Sequence, residues 1–284
     1  MRRVLHKAFG IVGIGVALAL AALVLPRFLG RKRLRFPYLT GSLPAADYQA
    51  LASRPGWSAV KVTVAPGIQL QGLVRRAATP QAPWLLYYPG NDAEQLRRGQ
   101  AFLSDVGAGK DWGLAVFAYR GYDSSDGVPH LDDLAADAPQ ILLELCRLEQ
   151  TSPEHVNVVG FSIGGHLAVR AVGALTRSGQ APRSLSLLAS VDDIVMYRRS
   201  PWEKLSAGDD YQTRPFLADI HAPVLVLQGG ADETLGGPVQ GKAIADALGA
   251  RAKYVELPGV GHNVLIQTPS AVKALRSFLA PLVE

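Results

Sequence analysis

The chain has 284 residues, 48% hydrophobic and 19% charged, which suits one large globular domain with an extension. Its formal charge of +5 is unevenly placed: residues 1–35 hold eight Lys/Arg and no acid, leaving a mildly acidic body of 21 basic and 24 acidic residues. That balance argues against nucleic acid as a partner of the body. The single cysteine, Cys146, excludes an internal disulfide and a cysteine-based metal cluster.

Ala8 to Leu25 is an uncharged run of eighteen residues rich in Ala, Val, Leu and Ile. As a helix it reaches about 27 Å, enough to cross a bilayer core with Phe28 and Leu29. Arg2, Arg3 and Lys7 are also what the basic start of a cleaved signal peptide looks like. The run exceeds a usual signal core, and the basic cluster Arg27 to Arg35 follows where a small-residue cleavage site belongs. We therefore expect a retained single-pass membrane anchor over 1–29. Both flanks are basic, so charge leaves open which side of the membrane carries the body. Residues 30–58, punctuated by Pro37, Gly41, Pro44, Pro55 and Gly56, read as a stalk with a helix-compatible patch at Ala45–Ala52.

From residue 59 to 284 short β-branched runs alternate with longer amphipathic stretches. Val60–Val64 and Ile68–Val74 alternate apolar and polar across a Pro66-Gly67 turn, as an antiparallel hairpin does. Later runs are apolar almost throughout: Trp84–Tyr88, Leu114–Ala118, Val156–Val159, Leu185–Leu188, Val224–Leu227 and a shorter Val255–Leu257. Such strands are covered on both faces, which implies a mainly parallel α/β sheet. Helices are expected at Glu94–Val106, Leu131–Glu149, Ile163–Thr176, Pro238–Leu248 and Ser270–Leu282. Cys146 falls in the second of these and reads as an inert core thiol. The expected fold class is α/β, eight strands with helices on both faces. In sheets of this kind ligands sit beyond the carboxyl ends of the strands.

Gly160-Phe161-Ser162-Ile163-Gly164 is a G-x-S-x-G pattern, and it lies where such a strand meets a helix. That context suits a nucleophile elbow, in which a strained turn lifts the serine hydroxyl over the sheet edge. A serine needs an oriented imidazole to take its proton. Among six histidines, His262 stands in Gly259-Val260-Gly261-His262-Asn263, after the last strand in a loop with two glycines; His130 is the rival. The acid is expected between serine and histidine in the chain. Asp232, directly after Val224–Leu227, is favoured, and Asp192 or Asp193, after the preceding strand, is the alternative. The oxyanion needs preorganised donors, for which the backbone amides of Ile163 and Asn91 are the candidates.

These motifs resemble those of the α/β-hydrolase superfamily, in particular small membrane-anchored serine hydrolases with a prolyl-aminopeptidase-like or dienelactone-hydrolase-like core. Tyr88-Pro89-Gly90-Asn91 is similar to the family's H-G-N oxyanion loop, with Pro89 in place of the histidine. The run from Tyr119 to Gly127 resembles its Y-R-G-Y-G-x-S-x-G loop, with Asp123 in place of a glycine, which adds charge near a loop that often borders the site. The resemblance covers Ala59 to Val283. It implies a Ser162–His262–Asp232 triad acting without metal or cofactor. The expected substrate is a small or lipid-like carboxylic ester or thioester; an aminopeptidase or amidase, or a non-catalytic membrane scaffold, are the alternatives. Residues 191–221 are expected to form a short cap, rich in Met196, Tyr197, Trp202, Leu205, Tyr211 and Phe216.

Overall fold

The computed structural model describes residues 43–107, 109, 111–194, 212–234 and 237–282. The expected anchor, the stalk up to residue 42 and the middle of the cap (195–211) lie outside the described residues. Among the described residues no helix is long and apolar enough to cross a membrane.

Eight strands form one sheet: β1 (Trp57–Ala65), β2 (Ile68–Arg75), β3 (Trp84–Tyr88), β4 (Gly113–Phe117), β5 (Val156–Phe161), β6 (Ser184–Leu188), β7 (Val224–Gly229) and β8 (Ala252–Leu257). Their order is β1-β2-β4-β3-β5-β6-β7-β8. The hairpin β1–β2 and the β2–β4 pair are antiparallel, and every other pairing is parallel. Strands β3 to β7 are buried along their whole length, as their unbroken apolar runs demand. β8 is an edge strand, half-exposed at most positions, and Ala252-Lys253-Tyr254 belongs to it although the sequence pattern begins only at Val255.

The helices are α1 (Ala45–Ala52), α2 (Gln95–Val106), α3 (Leu131–Leu148), α4 (Ile163–Arg177), α5 (Pro238–Leu248) and α6 (Pro269–Leu279). α2 packs with α6, and α3 packs with α4. The winding order reverses at β3, while β4, β3 and β5 run parallel. β3 is followed by β4 on one side, and the chain then crosses to β5 on the other. That is a topological switch point, where an open α/β sheet leaves a crevice past its strand ends.

The stalk needs correction. Residues 43–58 are part of the body, with Leu43 1% and Leu51 2% exposed. The Tyr48 hydroxyl donates to the carbonyls of Gly72 (2.9 Å) and Val60 (3.3 Å), and the Gln100 amide donates to Leu51 O at 2.9 Å. Trp57, assigned to the stalk, opens β1. Cys146 is buried in α3, and desolvation pushes its thiol up to about 12, as an inert core thiol requires.

Candidate active site

β5 ends at Phe161 and α4 starts at Ile163, so Ser162 alone makes the turn. Its backbone has φ 55° and ψ −122°, a conformation that costs a residue with a Cβ about 1–3 kcal/mol. The surrounding glycines permit the turn because strand, helix and neighbouring loop nearly touch. A Cβ on Gly160 would lie 2.4 Å from Gly164 O. One on Gly164 would lie 2.1 Å from Tyr88 O and 2.4 Å from Pro89 O. The Ser162 amide donates to Leu188 O on β6 at 2.9 Å, which pins the strained residue to the sheet.

His262 arrives from the loop after β8, and Asp232 from the loop after β7. His262 Nε2 lies 3.0 Å from Ser162 Oγ, and His262 Nδ1 lies 2.8 Å from Asp232 Oδ2. All three side chains are buried, at 6%, 8% and 5% exposure. The carboxylate accepts at Nδ1, so that nitrogen carries the hydrogen and the Nε2 lone pair faces the hydroxyl. Asp232 is itself fixed: Oδ2 also accepts from Gln228 Nε2 at 2.9 Å, and Oδ1 from the Thr234 amide at 2.8 Å.

The rival residues stand outside this hydrogen-bond chain. Asp192 pairs with Arg214 at 2.7 Å, and burial raises its carboxyl above the usual range. The backbone amides of Asp192 and Asp193 donate to Gln240 Oε1. His130 stands at the start of α3. His166, one turn beyond Ser162, contacts Thr213 Oγ1 at 3.1 Å, and burial lowers it to about 3.

The oxyanion candidates also converge. Ile163 opens α4, so its amide is one of the four without an intrahelical acceptor. Asn91 follows β3, and both residues border the same cavity as Ser162 and His262. Pro89 does not leave this loop loose. Its carbonyl accepts from the Tyr119 hydroxyl at 2.8 Å, and Gly90 O accepts from the buried Gln95 amide at 2.9 Å. The Tyr122 hydroxyl donates to Asn91 Oδ1 at 2.5 Å. Gln95, Tyr122 and Gln228 were not singled out from the sequence as supports. Their partners lie at least four positions away along the chain, and Tyr122 stood only inside the loop that resembled the family pattern.

The Asp123 expectation is overturned. Its carboxylate is 1% exposed and accepts from the amides of Leu96 (2.7 Å) and Leu43 (3.3 Å). Desolvation raises its pKa, against those hydrogen bonds. It caps α2 and is not among the residues that line the cavity. Of the cap aromatics, Phe216 is described: it lies under the Arg170 guanidinium, 3.8 Å from ring centre to Cζ, and edge-on to His166.

The cavity over Ser162 measures about 440 Å³, within the range of small-molecule pockets. Phe161, Ile163, Val191 and Ile194 give it an apolar wall; Asp92, Arg98, Thr234 and Asn263 face it on the polar side. An attackable serine, an oriented imidazole and the two oxyanion candidates bordering one cavity form the arrangement that acyl transfer uses.

The sheet order, the elbow and this convergence decide the fold. The chain has the α/β-hydrolase fold. No family model matches it. It is 29% identical over 278 residues to the uncharacterized protein Rv2307c of Mycobacterium tuberculosis, covering 96% of this chain and 95% of that one. It is 24% identical to the alpha/beta hydrolase domain-containing protein 17B of Xenopus laevis, covering 71% of this chain and 68% of the relative. Among solved structures it resembles the Pyrococcus furiosus esterase PF2001. The TM-score is 0.65 at 13% identity, over 90% of this chain and 100% of the esterase.

Proposed function

We propose that this α/β-hydrolase is a serine hydrolase that cleaves carboxylic esters or thioesters through an acyl-enzyme, and that residues 1–29 tether it to a membrane as a single-pass anchor. The unbroken hydrogen-bond chain Asp232–His262–Ser162 at the floor of a cavity supports this reading best.

In this mechanism the Ser162 oxygen attacks the acyl carbon while His262 Nε2 takes its proton. Asp232 holds the Nδ1–H tautomer and stabilises the imidazolium that forms. The carbonyl oxygen becomes an oxyanion between the amides of Ile163 and Asn91, donors that need no reorganisation during the step. The imidazolium returns its proton to the leaving alcohol or thiol. Water then enters and adds to the acyl carbon as His262 takes its proton. The bond to Ser162 Oγ breaks, the imidazolium returns the proton to Oγ, and the carboxylic acid leaves. The apolar wall suits the acyl chain, and no step calls for a metal or cofactor.

The test is fluorophosphonate labelling together with turnover of p-nitrophenyl acyl esters. Wild type is expected to label at Ser162. Ser162→Ala is expected to lose the label and about 10⁶ in kcat, the size of loss when a triad nucleophile is removed. An unlabelled, inactive wild type would favour a non-catalytic scaffold. Faster cleavage of aminoacyl amides than of esters would favour an amidase.

A further inference from the structure

The described charged side chains that line the cavity beside His262 are Asp92 and Arg98, and the mechanism above uses neither. They form an ion pair, Arg98 Nη1 to Asp92 Oδ1 at 2.9 Å, with the carboxylate 15% exposed and the guanidinium 43% exposed. Asp92 directly follows Asn91, whose amide is one expected oxyanion donor. A Cβ on Gly90 would lie 2.9 Å from the Phe161 ring and 3.3 Å from Asp92 Oδ2, so carboxylate and ring crowd one small space. The Phe161 ring centre in turn lies 5.0 Å from that of His262. His262 thus has one carboxylate bonded to Nδ1 and a second across the Phe161 ring.

A bare carboxylate there has two opposed effects. It favours the imidazolium that appears as His262 takes the serine proton. It also repels the oxyanion forming next to Asn91. Burial raises the Asp92 pKa, and the charges of Arg98 and then His262 oppose that rise, so the carboxylate, the guanidinium and the imidazole act on one another electrostatically. Among the described residues Asp232 is bonded to His262, and Glu233, next to Asp232 on the same loop, is exposed. Glu94, on the loop ahead of α2, is paired with Arg97 at 3.0 Å.

We propose that Asp92 and Arg98 are an electrostatic positioning pair for His262: Asp92 supports the imidazolium, and Arg98 offsets Asp92 so that the oxyanion beside Asn91 is not repelled. The proposal rests on His262 being the general base.

The two halves of the pair then act with opposite sign. Asp92→Asn leaves a net positive charge near the imidazole, and the acid limb of the kcat/KM pH profile moves to lower pH. Arg98→Gln leaves a net negative charge, and the limb moves to higher pH while plateau kcat falls several-fold. Each movement is about half a pH unit, as for a unit charge acting across a partly solvated cavity. Arg98→Lys holds the wild-type limb, and the double variant Asp92→Asn/Arg98→Gln returns to it. A merely structural ion pair gives no such opposition, because either single variant breaks it equally.

The experiment measures those profiles with a p-nitrophenyl ester from pH 5 to 9. In parallel it follows the His262 Cε1–H resonance by NMR, assigned by its loss in His262→Gln. Opposite shifts in the two single variants are expected. Shifts of the same sign, or no shift in either, overturn the proposal. If the wild type hydrolyses no ester while the resonance still titrates in opposite directions, the electrostatic pair stands and the hydrolase reading falls.

Discussion

Replacing Asp232 by Asn separates the orientation of the imidazole from the stability of the fold. Three hydrogen-bond donors point at the carboxylate: His262 Nδ1 and Gln228 Nε2 at Oδ2, and the Thr234 amide at Oδ1. An asparagine offers one acceptor oxygen and one NH₂. If the oxygen stays in the Oδ2 place, the NH₂ confronts the Thr234 N–H, and the buried mismatch costs about 1–3 kcal/mol. If the oxygen faces Thr234, the NH₂ faces His262 and Gln228. Gln228 Oε1 has no hydrogen-bond partner among the described residues, so the glutamine amide can turn over and accept from the new NH₂, which puts its own Nε2 where Oε1 found no partner. The imidazole must then accept at Nδ1, which moves its hydrogen to Nε2, against the Ser162 hydroxyl. The second arrangement avoids the head-on N–H contact at Thr234, leaves a buried Gln228 NH₂ without an acceptor, and disables the base. Asp232→Asn is therefore expected to lose about 1–3 kcal/mol of stability in urea unfolding and about 10⁴ in kcat, the loss that a wrong tautomer produces in serine proteases. Turnover within tenfold of wild type would refute the tautomer argument.

Two other variants probe the elbow and its helix. Gly164→Ala places a Cβ 2.1 Å from Tyr88 O, a backbone atom that must retreat by about 1 Å and carry the Pro89–Asn91 loop with it. A displacement of that size costs about 10² in rate, so kcat is expected to fall that far with an acyl-ester substrate; unchanged kcat would mean that the loop holds no oxyanion donor. His166→Gln tests the acid sensitivity of the fold. Burial, then Arg170, lowers the histidine to about 3, whereas the unfolded side chain titrates near about 6.5. Between those values the unfolded chain binds a proton that the folded one refuses, so stability falls as pH drops through the window. The urea midpoint of His166→Gln is expected to fall less from pH 7 to pH 4.5 than that of wild type, and parallel declines would refute the assignment.

What the sequence disclosed of the site follows from where its residues lie. Ser162, Asp232 and His262 each sit directly past a strand that is apolar enough to recognise, so fixing the strands fixed their common edge. Glycines beside Ser162 and His262 marked backbone that must turn sharply or approach closely. The supports left no such trace. Gln228 lies inside β7 and resembles any polar end of a strand until Asp232 folds back beside it. Gln95 is fully buried because it bridges Gly90 O and the Tyr119 amide, a pairing that only β3–β4 parallel packing brings within reach.

The stalk and Asp123 went astray for one shared reason. Periodicity reports burial where a segment shows several turns of one face, and Ala45–Ala52 has barely two. Its hold on the body comes from side chains bonding to distant main chain: Tyr48 to β1 and β2, Gln100 to Leu51, and Asp123 to Leu43. Asp123, read as a charge beside the site, therefore has two structural duties. One oxygen accepts from the α2 amide of Leu96, and the other receives Leu43. Its own loop is tied to β2 through Ser125 and Asp126, which accept from the amides of Gln71 and Gln69. The same first turn of α2 carries Arg98, which lines the cavity. The carboxylate that fastens the entering chain to the body thus also fixes the start of the helix that presents Arg98 beside Ser162. A long-range hydrogen bond of this kind has no signature in a local pattern.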